Sequence, residues 1–338
     1  MRRELEAAAI ALLATMAAGS VLMVIAGASP LEVWGTLLAE TLGDRYGAGQ
    51  VLFRATPLVL TGLAVAVPLR AGLVNIGGEG QMIAAALACA VVAAAIPVAT
   101  PAVLALPLAL LAAAAAGGAV GAATGALRVH RGAHEVIVAI LLNAIIAGVA
   151  LWLGNEWLFV GDATRTATIV PGARFAELGI TGSSASWSIL VALGAAGAVG
   201  WIQTRSITGY RWRMIGANPE AARAGGLAVA RERVVAMAAA GALAGLAGAH
   251  FVLGHKHAFE EGLGRNQGFI GIAVALLAQG RAGGILVSAL VFGMLAQGGL
   301  EVAELVPKEV VDVLQAVVVL VAAATLGRRG APGAAVSS

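Results

Sequence analysis

The sequence predicts an all-α polytopic membrane protein with about ten transmembrane helices, some of them short or discontinuous. Three observations support this fold class: 60% of the 338 residues are hydrophobic, 12% are charged, and the mean hydropathy is +0.92. Soluble domains carry about 25% charged residues. No polar stretch is long enough to fold separately, so residues 1–338 are predicted to form a single transmembrane domain.

Hydrophobic runs divide the chain into ten candidate spans. The first run follows Met1-Arg-Arg and is long enough to cross a bilayer at about 1.5 Å per residue, so we interpret it as a retained helix rather than a cleaved signal peptide. The second and eighth runs are short, which is typical of kinked or discontinuous helices. The predicted spans are residues 7–27, 56–70, 79–97, 102–127, 134–154, 187–203, 233–254, 267–280, 284–300 and 310–326.

The distribution of positive charge predicts the orientation. Most of the 21 lysines and arginines lie on one side of these spans, and the positive-inside rule makes that side cytoplasmic. Both termini are therefore predicted to be cytoplasmic. The outward-facing segments are then residues 28–55, whose pattern suits a helix at the membrane interface, and residues 155–186, which are rich in Gly, Thr and Ser.

A polar, glycine-rich break, Gly72-Leu-Val-Asn-Ile-Gly-Gly-Glu-Gly-Gln81, interrupts the second and third hydrophobic runs. In hydrocarbon, unpaired backbone groups cost several kcal/mol each, so irregular backbone survives only where protein shields it or where it lines a cavity. Asn75, Glu79 and Gln81 therefore indicate a buried pathway, or else an ordinary loop at the membrane surface. The order of the spans places the break near the inner side.

Glycines four residues apart mark two of the spans. The fourth span contains Gly117, Gly121 and Gly125, and the seventh contains Gly241 and Gly245. Small residues at this spacing share one helix face and allow a second backbone to approach closely. We expect tight packing within the subunit, and the alternative is a contact between subunits.

Two polar residues in the fifth span, Glu135 and Asn143, are eight positions apart and fall on roughly the same helix face. In a helical bundle they could line a polar pathway. The alternative places Glu135 in the loop after Arg128 and Arg131, where it is neutralised.

The inward segment 204–232 contains a short helix with signals at both ends. Asn218 is a good N-cap, Pro219 suits the first helical position, Glu220 favours the positive end of the helix dipole, and Gly225-Gly226 can end the helix. An isolated helix of about six to eight residues is marginal in water, so it packs against something. The candidates are a cytoplasmic partner or the membrane surface.

The sequence argues against several other functions. His250, His255 and His257 lack the spacing of a metal site, so we expect solvated loop residues and no metal. No Gly-x-x-x-x-Gly-Lys-[Ser/Thr] motif and no nucleophilic triad are present, so we predict a chain that is not an enzyme. The dispersed arginines fit orientation in the membrane better than nucleic-acid binding. The lone Cys89 excludes a disulfide within the chain.

Four ordered motifs resemble the permease subunits of bacterial ABC importers of the branched-chain amino acid and simple sugar type, in the nucleoside and simple-sugar branch. The family's last motif usually continues into Gly and a later Pro, whereas Ala278-Gln-Gly-Arg-Ala282 follows here. The motifs are Gly72-Leu-Val-Asn-Ile-Gly-Gly-Glu-Gly-Gln81, Glu135-Val-Ile with Leu142-Asn143, Ile215-Gly-Ala-Asn-Pro-Glu-Ala-Ala-Arg-Ala-Gly-Gly226, and Gly268-Phe-Ile-Gly-Ile-Ala-Val-Ala-Leu-Leu277.

The resemblance implies a multi-pass protein of the bacterial plasma (inner) membrane. Its expected partners are a cytoplasmic ABC ATPase, a second homologous or identical permease subunit, an extracytoplasmic substrate-binding lipoprotein and the lipid bilayer, with no nucleic acid. The chain itself is expected to bind no cofactor, because ATP and magnesium are used by the ATPase. The solute is expected to be a nucleoside. The alternatives are a simple sugar of the ribose or galactose type, or an ion-coupled secondary transporter with Glu79 or Glu135 as the coupling carboxylate.

The resemblance also implies two sets of functional residues. The predicted translocation pathway contains Asn75, Gly77, Glu79, Gln81, Glu135 and Asn143. The predicted contact with the ATPase, called the coupling helix in this family, contains Gly216, Asn218, Pro219, Glu220, Ala221, Ala222 and Gly225.

Overall fold

The computed structural model describes residues 16–161, 163–180, 182–307, 310, 313–317 and 320. In this part of the chain the regular structure is helical, and β pairing is limited to isolated bridges such as Phe159 with Thr166. The α-helices are α1 (Met16–Ile25), α2 (Pro30–Leu42), α3 (Arg45–Leu69), α4 (Gly78–Ala95), α5 (Ala102–Arg131), α6 (Glu135–Leu153), α7 (Ser188–Arg205), α8 (Ile207–Ala217), α9 (Pro219–Ala224), α10 (Val229–Phe251), α11 (Gln267–Leu277) and α12 (Ala282–Glu301).

The all-helical prediction is confirmed, and the described ranges contain six helices long and apolar enough to cross a membrane. The number rises to seven if α1 and α2, which are bent by 120°, form one broken span. The eighth predicted span is the eleven-residue helix α11, which is as short as the sequence predicts. The tenth lies largely outside the described residues. Ten spans and cytoplasmic termini therefore stay predictions.

The helix at the centre of the bundle, α3, begins at Arg45 rather than at residue 56. Asp44 caps it, because its Oδ1 accepts a hydrogen bond from the Gly47 N–H at 2.6 Å. The charged Arg54 interrupts the hydropathy pattern, so the pattern does not show the first part of this helix. In the structure Arg54 donates from Nε to Gln297 Oε1 on α12 at 2.7 Å. Within its most apolar window, 83% of α3 is buried, so the other helices pack around it.

The glycine pairs join α5 to α10 along a seam of backbone contacts. A Cβ at Gly117 would lie 2.3 Å from the Gly241 carbonyl oxygen, and a Cβ at Gly241 would lie 2.1 Å from the Gly117 oxygen. Gly121 and Gly245 are equally crowded by the facing helix. The prediction of tight packing within the subunit is therefore confirmed.

The helix α6 has the opposite character to α3. Only 11% of the most apolar window in residues 135–158 is buried, and large side chains such as Ile137, Leu141 and Trp152 are exposed. Because these side chains are apolar, this face of the helix suits lipid or another membrane subunit. The polar residues of α6 lie elsewhere on its circumference, and they belong to the site described next.

Candidate functional site

The break between α3 and α4 is held together by a pair of side-chain amides. The Asn75 Nδ2 donates to Gln81 Oε1 at 2.9 Å, and the Gln81 Nε2 donates back to Asn75 Oδ1 at 3.0 Å. The same Asn75 oxygen accepts from the Gly77 N–H at 3.1 Å, and its nitrogen donates to the Ala64 carbonyl at 3.3 Å. Asn75 and Gln81 are 1% and 0% exposed, so both amides stabilise the fold of the break.

A third amide, Asn143 of α6, ties the break to the neighbouring helix. Its Oδ1 accepts from the Gly80 N–H at 2.9 Å, and its Nδ2 donates to the Ile76 carbonyl at 3.1 Å. These are backbone groups that the missing helical turn leaves without internal partners. Glycine is needed at position 80, because a Cβ there would lie 2.7 Å from Asn143 Oδ1.

Glu79 connects the start of α4 to the start of α11. Its Oε1 accepts from the Asn266 N–H at 2.8 Å, and its Oε2 accepts from the Gly268 N–H at 3.1 Å. The carboxylate therefore caps the N-terminus of α11, where free N–H groups and the helix dipole favour a negative charge. The two helix ends nearly touch, since a Cβ at Gly268 would lie 2.4 Å from the Glu79 nitrogen.

The order of the spans predicts that this junction lies near the inner side of the membrane, and that position stays a prediction. Asn143 comes eight residues after the start of α6, which corresponds to about 12 Å along the helix axis. The eleven residues of α11 extend about 16 Å, roughly half of a 30 Å hydrocarbon core. From Leu73 to Gly78 the irregular backbone is buried or half-buried, so protein shields it.

A cavity of about 240 Å³ adjoins the junction, between α4, α6 and residues 259–265. Of the predicted pathway residues, Glu79 and Asn143 line it. Asn75, Gly77 and Gln81 lie behind them in the buried break and are not among the cavity-lining residues. The cavity is also lined by side chains that the sequence analysis did not identify, namely Phe159, Phe259, Glu261 and Arg265.

Glu135 is not among the residues that line this cavity. Its Oε2 lies 3.1 Å from the Arg128 Nε, and its side chain is buried at the start of α6, about 12 Å along the helix from Asn143. Glu135 and Asn143 therefore belong to different environments although they share a face of α6. Glu135 pairs with Arg128, as in the alternative in which its charge is neutralised. The opposite charge of Arg128 offsets part of the cost of burying the carboxylate.

The histidines of α10 and its extension differ from the sequence interpretation. His250 is 2% exposed rather than solvated, and its Nδ1 lies 2.7 Å from the Ser188 Oγ. Phe53 packs between His250 and His255, with ring centroids 5.1 and 4.8 Å away. Across the described ranges, no group of three or more His, Cys, Asp or Glu side chains converges on a position for a metal ion.

The short helix α9 forms with the predicted caps. The Asn218 Oδ1 accepts from the N–H groups of Glu220 and Ala221, both at 3.0 Å, and Pro219 is the first helical residue. The helix ends at Gly225, and Gly226 takes a φ of +83° that favours glycine. Most of the predicted coupling residues are exposed: Gly216, Asn218, Glu220, Ala221 and Gly225.

Ala222 is an exception among the predicted coupling residues. It is 2% exposed and packs with Ile215 and Val229 in a small apolar cluster under α9. A bulky side chain at this position would disturb the packing of α9 itself. Ala222 therefore holds the helix on the protein, and the surface available to a partner is formed by its exposed neighbours.

The segment that carries α9 contacts the C-terminal end of the central helix α3. A Cβ at Gly216 would lie 2.4 Å from the Arg70 carbonyl oxygen and 3.3 Å from the Gly72 nitrogen. Burial, followed by the positive charges of Arg213 and Arg281, lowers the pKa of the Arg70 guanidinium. A displacement of α8 and α9 would therefore act directly on the residues that lead into the break.

Comparisons with known proteins agree with this geometry. The sequence profile of the branched-chain amino acid transport system/permease component family matches residues 47–323. This chain belongs to that permease family. It is therefore a transport subunit rather than an enzyme, and a multi-pass membrane protein, as the sequence analysis expects.

Three relatives with known names align with most of this permease. The guanosine ABC transporter permease protein NupP of Bacillus subtilis is 36% identical over 95% of this chain and 93% of its own length. The glucose ABC transporter permease protein TsgB13 of Haloferax volcanii is 34% identical over 92% of this chain and 85% of its own. The nucleoside ABC transporter permease protein NupB of Lactococcus lactis is 29% identical over 89% and 85%.

Proposed function

We propose that this permease forms one wall of the translocation pathway of an ATP-driven importer for a small polar solute, and that the cavity beside Glu79 and Asn143 is part of that pathway. The observation that carries the proposal is a charged, half-open cavity of about 240 Å³ next to the junction of the ends of α4 and α11. Charged residues at this depth face a bundle interior or a water-filled space, because exposure to lipid is costly.

The exposed surface of α9 fits a coupling helix that docks on a cytoplasmic ABC ATPase. The side chain of Asn218 accepts hydrogen bonds from the N–H groups of Glu220 and Ala221 at the start of the helix. The exposed side chains of Glu220 and Ala221 are therefore available to a partner. ATP and magnesium would be bound by that ATPase. Movement of α9 would pass to Arg70 and Gly72 through the contact at Gly216, and from there to the break that holds the cavity.

The proposed importer contains further partners. A second permease subunit, homologous or identical, would complete the pathway, and the exposed apolar surface of α6 suits a membrane neighbour. An extracytoplasmic substrate-binding lipoprotein would deliver the solute. We place the assembly in a bacterial plasma (inner) membrane, with both termini of this chain cytoplasmic.

A nucleoside is the proposed solute, and a simple sugar is the second candidate. Two of the three named relatives are described as permeases for guanosine or nucleosides, and one as a permease for glucose. An ion-coupled carrier is disfavoured by the two carboxylates, because Glu79 accepts two backbone hydrogen bonds and Glu135 pairs with Arg128. Both carboxylates are therefore held by partners within the protein, whereas a coupling carboxylate must exchange its partner for the transported ion.

The test is uptake of labelled guanosine and glucose into proteoliposomes that contain the importer assembled with its ATPase and binding protein. Uptake is expected to require ATP and the binding protein, and a proton or sodium gradient alone is expected to drive none. Ala147→Trp, which fills the cavity, should abolish uptake. Gly197→Trp on α7 is the control, since nothing lies within 4 Å of a Cβ at that position and α7 does not line the cavity.

Two results would contradict the proposal. Uptake driven by an ion gradient without ATP would favour a secondary carrier. Full uptake by the Ala147→Trp variant would show that the solute passes elsewhere.

A further inference from the structure

Two aromatic rings form one side of the cavity. The rings of Phe159 and Phe259 are nearly parallel, with an interplanar angle of 9° and centroids 6.4 Å apart. Both line the cavity, and Phe259 is 5% exposed while Phe159 is half-buried. Because only 4% of the residues in this chain are aromatic, two in one cavity wall stand out from the aliphatic lining of the bundle.

The backbone around the two rings fixes their positions. Thr166 accepts from the Phe259 N–H through its Oγ1 at 3.0 Å, and its own N–H donates to the Phe259 carbonyl at 2.9 Å. Thr166 also forms a β-bridge with Phe159, so one residue connects the two phenylalanines. The Phe159 ring covers Gly154, where a Cβ would lie 2.2 Å from its Cζ atom. The wall is therefore preorganised.

Polar groups lie elsewhere in the same cavity. Each Glu79 oxygen accepts one backbone hydrogen bond and keeps further acceptor capacity, and the Arg265 guanidinium lines the same cavity. The Asn143 amide uses one N–H and one lone pair in the bonds described above, which leaves a second of each. The cavity thus combines two aromatic rings with hydrogen-bond donors and acceptors.

This combination fits a nucleobase better than a monosaccharide. A base has π faces that stack on aromatic rings and a polar edge that hydrogen-bonds to carboxylate, amide and guanidinium groups. A monosaccharide can pack a C–H face on an aromatic ring, but its hydroxyl groups project around the whole ring, whereas a base has two apolar π faces and confines its polar groups to its edge.

We infer that Phe159 and Phe259 form the wall on which the base of a nucleoside packs during transport, and that Glu79, Asn143 and Arg265 bind the edge of that base or the ribose. This inference rests on the proposed function, because it assigns the solute class of the same cavity. It makes the two phenylalanines the residues that distinguish a nucleoside from a simple sugar.

The test compares ring-removing and ring-keeping variants in the assembled importer, at saturating binding protein. Phe159→Leu and Phe259→Leu should each lower the rate of guanosine uptake roughly tenfold, since one base–aromatic stack accounts for about this factor or more. Phe159→Tyr keeps the ring and should transport guanosine at close to the wild-type rate. Phe175→Leu is the matched control, because Phe175 belongs to the same apolar cluster but is not among the cavity-lining residues.

A second measurement does not depend on the folding of a variant. Irradiation of the wild-type importer with labelled 8-azidoguanosine should attach label to the peptides that contain Phe159 or Phe259. Excess guanosine should prevent this labelling and excess ribose should not. Label confined to other peptides, or equal protection by ribose, would overturn the inference.

The outcomes separate this inference from the proposed function. If both leucine variants keep the full wild-type rate of guanosine uptake, the aromatic wall is overturned and the permease role stays intact. ATP-dependent uptake of glucose without guanosine overturns the nucleoside assignment alone. Lack of any ATP-dependent uptake by the wild-type importer contradicts the proposed function itself.

Discussion

The structure contains two short helices whose N-termini are capped by the same physical device over very different distances in sequence. In α9, Asn218 accepts hydrogen bonds from residues two and three positions further on. In α11, Glu79 accepts from Asn266 and Gly268, which are 187 and 189 positions away. One cap is local and lies at the exposed surface, and the other joins two helices within the bundle.

The two caps differ in the part of the structure that each one stabilises. If Asn218 lost its hydrogen bonds, water could satisfy the exposed N–H groups of α9, and the packing of the bundle would not change. If Glu79 lost its hydrogen bonds, water in the adjoining cavity could reach the exposed Asn266 N–H but not the buried Gly268 N–H, and α4 would lose its link to α11. The exposed cap is suited to a part that meets partners, and the buried cap to a part that holds shape.

The largest effect is expected from breaking the long-range cap. Glu79→Ala removes the link between α4 and α11 and leaves the buried Gly268 N–H without its acceptor, and such a group costs several kcal/mol in a membrane interior. We expect a strongly lowered Tm for the purified protein, or failure to obtain it folded. Glu79→Gln is the control, because it keeps one acceptor oxygen and should lose less. A Glu79→Ala protein with the wild-type Tm would contradict the role of this cap.

An intermediate effect is expected from Gly268→Ala. The added Cβ would lie 2.4 Å from the Glu79 nitrogen and 2.7 Å from the Gly78 carbonyl carbon, and both are backbone atoms that cannot rotate away. We expect a loss of about 1–3 kcal/mol in the free energy of unfolding, measured as a lower Tm. Gly283→Ala should not lower it, since nothing lies within 4 Å of a Cβ there. Equal Tm values for the two variants would show that the helix junction is loose.

The smallest effect on stability is expected from breaking the local cap. Asn218→Ala should cost about 1 kcal/mol within α9 and leave the Tm of the membrane helices unchanged. If α9 docks on the ATPase, co-purification of the ATPase should fall in this variant. Asn218→Asp keeps an acceptor oxygen and should retain the ATPase. A large fall in Tm for Asn218→Ala would remove the contrast between the two caps.

The local features were therefore the ones that could be predicted from sequence. Asn218 and Pro219 mark the start of α9 because a cap and its acceptor lie within three residues of each other. The glycine spacing of α5 and α10 predicts a close contact for a similar reason, since four-residue spacing sets one face of a helix. The position of the break was also evident, because its polar residues interrupt two apolar runs.

Features that depend on distant partners were not predictable in this way. The early start of α3 is concealed by Arg54, which is accommodated because Gln297 on α12 accepts its hydrogen bond. The role of Glu79 depends on the N–H groups of Asn266 and Gly268, which are far from it in the sequence. Phe159 and Phe259 come together only through Thr166, and no spacing in the sequence signals that meeting.

The seam of glycines between α5 and α10 has a mechanical consequence. Each backbone sits against a carbonyl group of the other helix, and the neighbouring positions other than Gly118 carry Cβ atoms, so a slide by one residue would drive side chains into the facing backbone. The two helices are thus locked in register and form a rigid strut. Any rocking that opens and closes the pathway must pivot around this strut, and the bending must be confined to the interrupted helices beside it.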